Sequence, residues 1–167
     1  MGSVIRIVVA EGDPELSELF HERFSVVPDF EVVGAAYSGR AAIAAVARLN
    51  PDIVTVDIDL PGIGGLEILP VVRWCNPKTK VVVLSDHDEE ATILEALELG
   101  AKGYIVKSDG TDLIKAIRAV QNREIWARRR VFAGVLDRLI GLARGAFGEA
   151  EGEPALGRSH VYANPFS

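Results

Sequence analysis

One cysteine in 167 residues, Cys75, leaves no partner for an internal disulfide and points to a reducing compartment. No segment approaches the roughly 20 consecutive apolar residues of a membrane span. The opening MGSVIRIVVAEGD turns acidic too soon to read as a signal peptide, so a cytoplasmic protein is expected. Basic residues are outnumbered: 18 Lys and Arg against 24 Asp and Glu give a net charge of -6. That balance argues against general nucleic-acid binding, which needs clustered cations to neutralise phosphates. The exception is a basic cluster between Arg123 and Arg130. Aromatics are few, at 7%, but about half the chain is apolar and a quarter charged, as in ordinary globular proteins. The length suits one domain with a short appendage.

Strand-like and helix-like segments alternate along the chain. Residues 4–10 (VIRIVVA) are β-branched, and Asp13 and Pro14 then open a helix over 14–27 with Leu16, Leu19, Phe20 and Phe24 at helical spacing. Residues 31–36 read as a second strand, and Ser38 caps an Ala-rich helix that stops at Asn50-Pro51. A third strand, 53–57 (IVTVD), leads through Pro61-Gly62 to a helix at 65–75. A fourth, 80–84 (KVVVL), precedes a helix at 89–99, and GYIV (103–106) precedes one at 111–122. The third and fourth strands are continuous apolar runs, as expected for parallel strands covered on both faces. Five such pairs predict an α/β fold with an open, doubly wound parallel sheet. Beyond it, Val131, Val135, Leu136, Leu139, Ile140 and Leu142 predict a further helix over 127–143. Residues 145–157 are Gly- and Glu-rich and read as a flexible linker or tail.

In an open parallel sheet, functional residues gather beyond the carboxyl ends of the strands. Those positions hold Glu11 and Asp13, then Asp57, Ser85 and Lys107. Together they suit phosphoryl chemistry. A carboxylate can attack phosphorus, a divalent cation can neutralise crowded negative charge, and a hydroxyl and an ammonium can bind phosphoryl oxygens. None of the five residues carries this reading alone; their convergence does.

The runs PDIVTVDIDLPGIGGLEIL (51–69), VVVLSDHDEE (81–90) and LGAKGYIVKSDG (99–110) have the order and separation of a known family. Over residues 4–122 the chain resembles the receiver domain of bacterial two-component response regulators, most closely the subgroup with LuxR/NarL-type outputs. The resemblance implies a flavodoxin-like, five-stranded sheet of order 2-1-3-4-5 with an extra C-terminal helix. It implies a regulatory phosphoacceptor domain and not an enzyme in its own right. Asp57 corresponds to the phosphoacceptor, Ser85 to the hydroxyl residue that binds a phosphoryl oxygen, and Lys107 to the lysine bonding carboxylate and phosphoryl group. Ser85 and Tyr104 correspond to the switch pair. Asp59, Asp86 and His87 fall at or beside positions that tune phosphoryl lifetime, and the Asp59 backbone carbonyl falls at a Mg2+ ligand position. Asp86 departs from the small or apolar residue usual there, and its carboxylate would repel a phosphoryl group unless it faces solvent.

The resemblance also exposes a departure. The family ends its first strand with two adjacent acids, and here those positions are Glu11 and Gly12. The first usually holds the cation through water, whereas the second is a direct ligand that glycine cannot supply. Mg2+ prefers octahedral carboxylate and water ligation, so water or the longer Glu11 would have to fill the gap. Asp13, just before Pro14, reads as a helix cap. A weakened Mg2+ site follows, with Asp57 slowly or conditionally phosphorylated; a phosphorylation-independent pseudo-receiver is the alternative.

The expected partners are a sensor histidine kinase and a second copy of the chain. Residues 123–144 resemble the linker helix that leads to a helix-turn-helix in LuxR-type regulators, with 145–167 as a tail. DNA contact is therefore expected only through an output domain that these residues do not include, and the arginines at 128–130 read as a solvated helix start. A rival resemblance exists. VTVDIDLPG matches the first motif of haloacid-dehalogenase-type phosphatases, in which Asp57 would be the nucleophile and Asp59 the general acid/base. That motif normally lies on the first strand, and an acidic metal-binding motif should follow Lys107, where only Asp109 and Asp112 occur.

Overall fold

The computed structural model describes residues 2–161, with side-chain surroundings to residue 148. It comprises two compact units, one ending at Arg128 and the other starting at Arg129.

The first unit is built from five strands, β1 (Ile5–Ala10), β2 (Phe30–Ala36), β3 (Ile53–Asp57), β4 (Lys80–Ser85) and β5 (Gly103–Val106). Between and after them lie α1 (Pro14–Ser25), α2 (Gly39–Leu49), α3 (Gly65–Cys75), α4 (Glu90–Glu98) and α5 (Leu113–Gln121). All pairings are parallel, in the order β2-β1-β3-β4-β5. This is the doubly wound sheet that the alternating pattern predicts.

Local chemistry sets the boundaries. The Asp13 side chain accepts from the Glu15 and Leu16 N–H groups, Ser38 from Ala41 N–H, and Asp112 from Lys115 N–H. Each satisfies a donor that the first turn of a helix leaves open. Asn50 ends α2 in the left-handed conformation, at φ 46°. Leu113, Ala116, Ile117 and Val120 recur at helical spacing and are all buried, which seats α5 on the sheet. Against the same face pack Phe20, Phe24 and Phe30, with Phe24 edge-on to Phe30 at 6.0 Å between centroids.

The sheet has a sixth participant that no periodicity announces. After α5, Arg123 takes a positive φ of 67° and turns the chain back along β5. Trp126 N–H donates to the Lys102 carbonyl (3.0 Å), and Tyr104 N–H donates to the Trp126 carbonyl (2.7 Å). Trp126 therefore covers the edge of β5 at Gly103, where backbone groups would otherwise be unpaired. The expected linker helix from residue 123 is corrected to an edge segment followed by a helix that starts at Arg129.

The second unit is that helix, α6 (Arg129–Val161). It runs past residue 144, through the Gly- and Glu-rich stretch that composition assigns to a flexible tail. Its Ala, Leu, Arg and Glu content favours helix, against a cost of about 1 kcal/mol for each glycine. Residues 162–167 of the expected tail lie outside the described residues. Among the described residues no helix is long and apolar enough to cross a membrane.

Candidate functional site

Because every strand is parallel, the carboxyl ends of β1, β3, β4 and β5 open on one edge, and the predicted residues meet there. Glu11 follows β1, Asp57 ends β3, Ser85 ends β4 and Lys107 follows β5. Glu11 and Asp57 are buried, at 4% and 8% exposure, whereas the other carboxylates among the described residues mostly face water. One cation holds both. Lys107 Nζ donates to Glu11 Oε2 at 3.1 Å and to Asp57 Oδ2 at 3.2 Å.

Backbone donors fix the remaining carboxylate oxygens. Asp59 N–H donates to Asp57 Oδ1 (3.0 Å), and Asp13 N–H donates to Glu11 Oε1 (3.1 Å). Burial raises the pKa of Glu11 despite the bonds from Asp13 N–H and Lys107. Burial works against the Lys107 charge, but Glu11 and Asp57 more than offset it, so Lys107 titrates above the ordinary lysine value. The ammonium is held charged between two acids.

A glycine brings α3 to this edge. Gly65 N–H donates to the Ile58 carbonyl (2.8 Å), and a Cβ on Gly65 would lie 2.2 Å from the Asp57 carbonyl oxygen. Only glycine permits that approach.

Ser85 and Tyr104 are joined through one loop. Ser85 Oγ accepts from His87 N–H (3.0 Å), and the His87 carbonyl accepts from Tyr104 Oη–H (2.8 Å). Tyr104 is turned inward, at 3% exposure, and burial raises its pKa. Asp86 is exposed, the orientation in which its carboxylate does not oppose a phosphoryl group. The His87 ring crosses to the β3 loop, with Nε2 3.0 Å and 3.1 Å from the two Asp59 carboxylate oxygens. This bond raises the His87 pKa, the Asp59 charge adds to it, and partial desolvation opposes it. The ion pair is therefore complete below about pH 6.5 and is lost as pH rises through the raised value. An NMR titration should place the His87 midpoint above the ordinary histidine value of about 6.5, and Asp59→Asn should lower it. A midpoint unmoved by Asp59→Asn would contradict the pairing.

Gly12 stands just beyond the end of β1, where the family's second acid is expected, and the structure shows what fills the space. A Cβ at Gly12 would lie 2.8 Å from Pro61 Cδ and 3.3 Å from Cγ. The proline ring of the β3–α3 loop occupies the room a second acid would need. Among the described residues no three His, Cys, Asp or Glu side chains are grouped to hold a metal ion. Glu11 and Asp57 remain, and Mg2+ is commonly held by one or two carboxylates with water completing the octahedron. The donor set is thus small but of the right chemistry.

Residues 7–118 match the response regulator receiver domain family, a span that takes in Glu11, Asp57, Ser85 and Lys107. The chain belongs to that family. Its similarity to a protein-glutamate methylesterase/protein-glutamine glutaminase from a Nocardioides species is 37% identity over 105 residues, covering 62% of this chain and 29% of the relative. The transcriptional regulatory protein DegU of Brevibacillus brevis is 34% identical over 117 residues, or 70% of this chain and 50% of the relative. This receiver thus spans half or less of both relatives' lengths. Among solved structures, a LuxR-family two-component response regulator from Aurantimonas superposes with a TM-score of 0.74 at 27% identity. That match covers 83% of this chain and 99% of the other. Receivers of this family generally bind Mg2+ at their acidic site.

The family assignment removes the phosphatase reading, and the receiver's geometry agrees. Asp112 is used as the cap of α5, Asp109 is bound to Arg128, and the Asp59 side chain is on His87. Sequence reasoning missed Arg128. It sits in a run of three arginines that looks like a solvated helix start, yet its guanidinium is bound to both Asp109 and Asp88. No short-range sequence signal marks it, since its partners lie 19 and 40 residues away.

Proposed function

We propose that this receiver accepts a phosphoryl group on Asp57 from a sensor histidine kinase in the cytoplasm. Phosphorylation then switches the surface formed by α4, β5 and α5, controlling dimerisation or an output partner. The observation that carries the reading is Lys107, whose ammonium bridges Asp57 and Glu11 at the carboxyl edge beside Ser85. An Asp57 carboxylate oxygen attacks phosphorus while the bond from phosphorus to the donor's leaving atom breaks. Lys107 and the Ser85 hydroxyl take up charge on the phosphoryl oxygens, as preorganised donors do. Mg2+ would be held by Glu11, Asp57 and the Asp59 carbonyl, and when bound it neutralises charge between carboxylate and phosphate. Its affinity is reduced because Gly12 supplies no ligand and Pro61 fills the space. Asp59, Asp86 and His87 line the approach of water and so set how long the phosphoryl group survives. Ser85 and Tyr104 form the switch, joined by the His87 carbonyl. The role is regulatory, with self-phosphorylation and self-dephosphorylation as its only chemistry. Any DNA contact is assigned to an output domain and not to residues 2–161.

A second copy of the chain is the expected output partner. Phe132, Leu136, Leu139 and Ile140 recur at helical spacing on α6 and suit a helix-to-helix contact. Light scattering after size exclusion, with acetyl phosphate and Mg2+, should show a larger species for the wild type and no response from Asp57→Asn. An unchanged mass in protein that carries the phosphoryl group would overturn dimerisation as the output.

A further inference from the structure

Arg128 is the last residue of the receiver unit before α6. Its guanidinium forks onto Asp109, with Nε donating to Oδ2 at 2.6 Å and Nη2 donating to Oδ1. The third nitrogen, Nη1, reaches Asp88 Oδ2 at 3.3 Å. Asp109 lies in the 3-10 turn Lys107–Asp109, two residues beyond the lysine that bridges the acids. Asp88 follows His87, whose N–H is held by Ser85 Oγ and whose carbonyl is held by Tyr104. One guanidinium therefore staples the loop that carries Ser85 to the turn that carries Lys107. The same segment is tied to β5 by Trp126, whose carbonyl accepts the backbone N–H of Tyr104.

The two arms are unequal. The Asp109 arm is a bidentate, charge-assisted fork between side chains 25% and 28% exposed. The Asp88 arm is a single longer bond to a carboxylate 61% exposed. For the Ser85 hydroxyl to turn toward a phosphoryl oxygen on Asp57, its bond to His87 N–H must be shared or given up. Residues 86–89 would have to follow that movement, and of the two arms the longer, more exposed bond to Asp88 is the weaker restraint.

We propose that Arg128 is a positioning residue that couples the two ends of the receiver. By clasping Asp88 to Asp109 it restrains the Ser85 loop in the resting arrangement, and it transmits release of that loop to the residues leading into α6. The inference rests on the receiver reading of Asp57 and extends it to a residue outside the phosphoryl site. Coupling of this kind is reciprocal: what phosphorylation does to the clasp, loss of the clasp must do to phosphoryl binding.

The test uses the full chain and beryllofluoride with Mg2+ as a phosphoryl mimic. Arg128→Ala should bind the mimic about fivefold tighter or more, the lower end of typical coupling between sites. The sign is diagnostic, because loss of a nearby positive charge by itself would weaken binding of an anion. Arg128→Lys, which keeps the charge and loses the fork, should also bind tighter. Hydrogen exchange supplies the second readout. In the wild type the mimic should raise exchange over residues 123–128, and in Arg128→Ala exchange there should be fast with or without it. Unchanged or weaker affinity in both variants would overturn the coupling, as would an undiminished response of residues 123–128 in Arg128→Ala. If the wild type binds no mimic and takes up no phosphoryl group, the phosphoacceptor reading of Asp57 itself fails. In that case faster exchange at residues 86–89 and 107–110 in Arg128→Ala would reduce Arg128 to a structural staple.

Discussion

Lys107→Ala should destabilise the receiver by about 2 kcal/mol at neutral pH and slow phosphoryl uptake about tenfold or more. The alanine leaves Glu11 and Asp57 buried together with no cation between them. Breaking a fully buried pair costs about 3–5 kcal/mol, whereas an exposed pair contributes about 0–1. The 16% exposure of the Lys107 side chain places this one between those limits. The pH dependence has a definite sign. Burial already raises the Glu11 pKa, and removing Lys107 removes an influence that lowers it. Glu11 in the variant is therefore neutralised more readily as pH falls, and the penalty shrinks with it. Urea unfolding at pH 7.5 and pH 5 should show the larger deficit at the higher pH. Equal deficits would mean that Lys107 contributes through packing alone.

Gly65→Ala should cost about 3 kcal/mol, at the top of the range for overpacking, and should abolish phosphoryl uptake with it. The added Cβ would meet the Asp57 carbonyl oxygen at 2.2 Å, Ile58 Cα at 2.7 Å and Asp57 carbon at 2.8 Å. All three are backbone atoms, so no rotamer relieves the contact. Either the start of α3 retreats or the end of β3 shifts, and the second carries Asp57 away from Lys107. Gly64→Ala is the control, because its Cβ would meet only the Ile58 carbonyl oxygen at 3.6 Å and the Glu67 side chain at 3.9 Å. Gly64 is the N-cap of α3, where alanine is the poorer residue, so that variant should lose about 1 kcal/mol and no more. Similar unfolding midpoints for the two variants would contradict the account of how α3 is seated.

The sheet is legible in the sequence because each strand is an apolar run closed by a turn signal. Residues 53–57 and 103–106 are read to the residue for that reason. The parallel topology then places Glu11, Asp57, Ser85 and Lys107 on one edge without further information. What escapes the sequence is contact between distant segments with no period of their own. Pro61 fills the space beside Gly12 from 49 positions away, and a lone glycine reads only as a missing ligand. Trp126 joins β5 through a single bridge, too short to register as a strand. Arg128 is camouflaged by its neighbours Arg129 and Arg130. The length of α6 is hidden by glycines that composition weighs as linker. Apart from the length of α6, each miss concerns how residues 123–128, or the β3–α3 loop, return to the first unit.

The most direct test of the central claim is intact mass after incubation with acetyl phosphate across a series of Mg2+ concentrations. One phosphoryl group should add to the wild type, dependent on Mg2+ at high concentration, and none to Asp57→Asn. An adduct that survives Asp57→Asn would contradict the assignment of the acceptor. No adduct at any Mg2+ concentration would overturn the phosphoacceptor reading of Asp57.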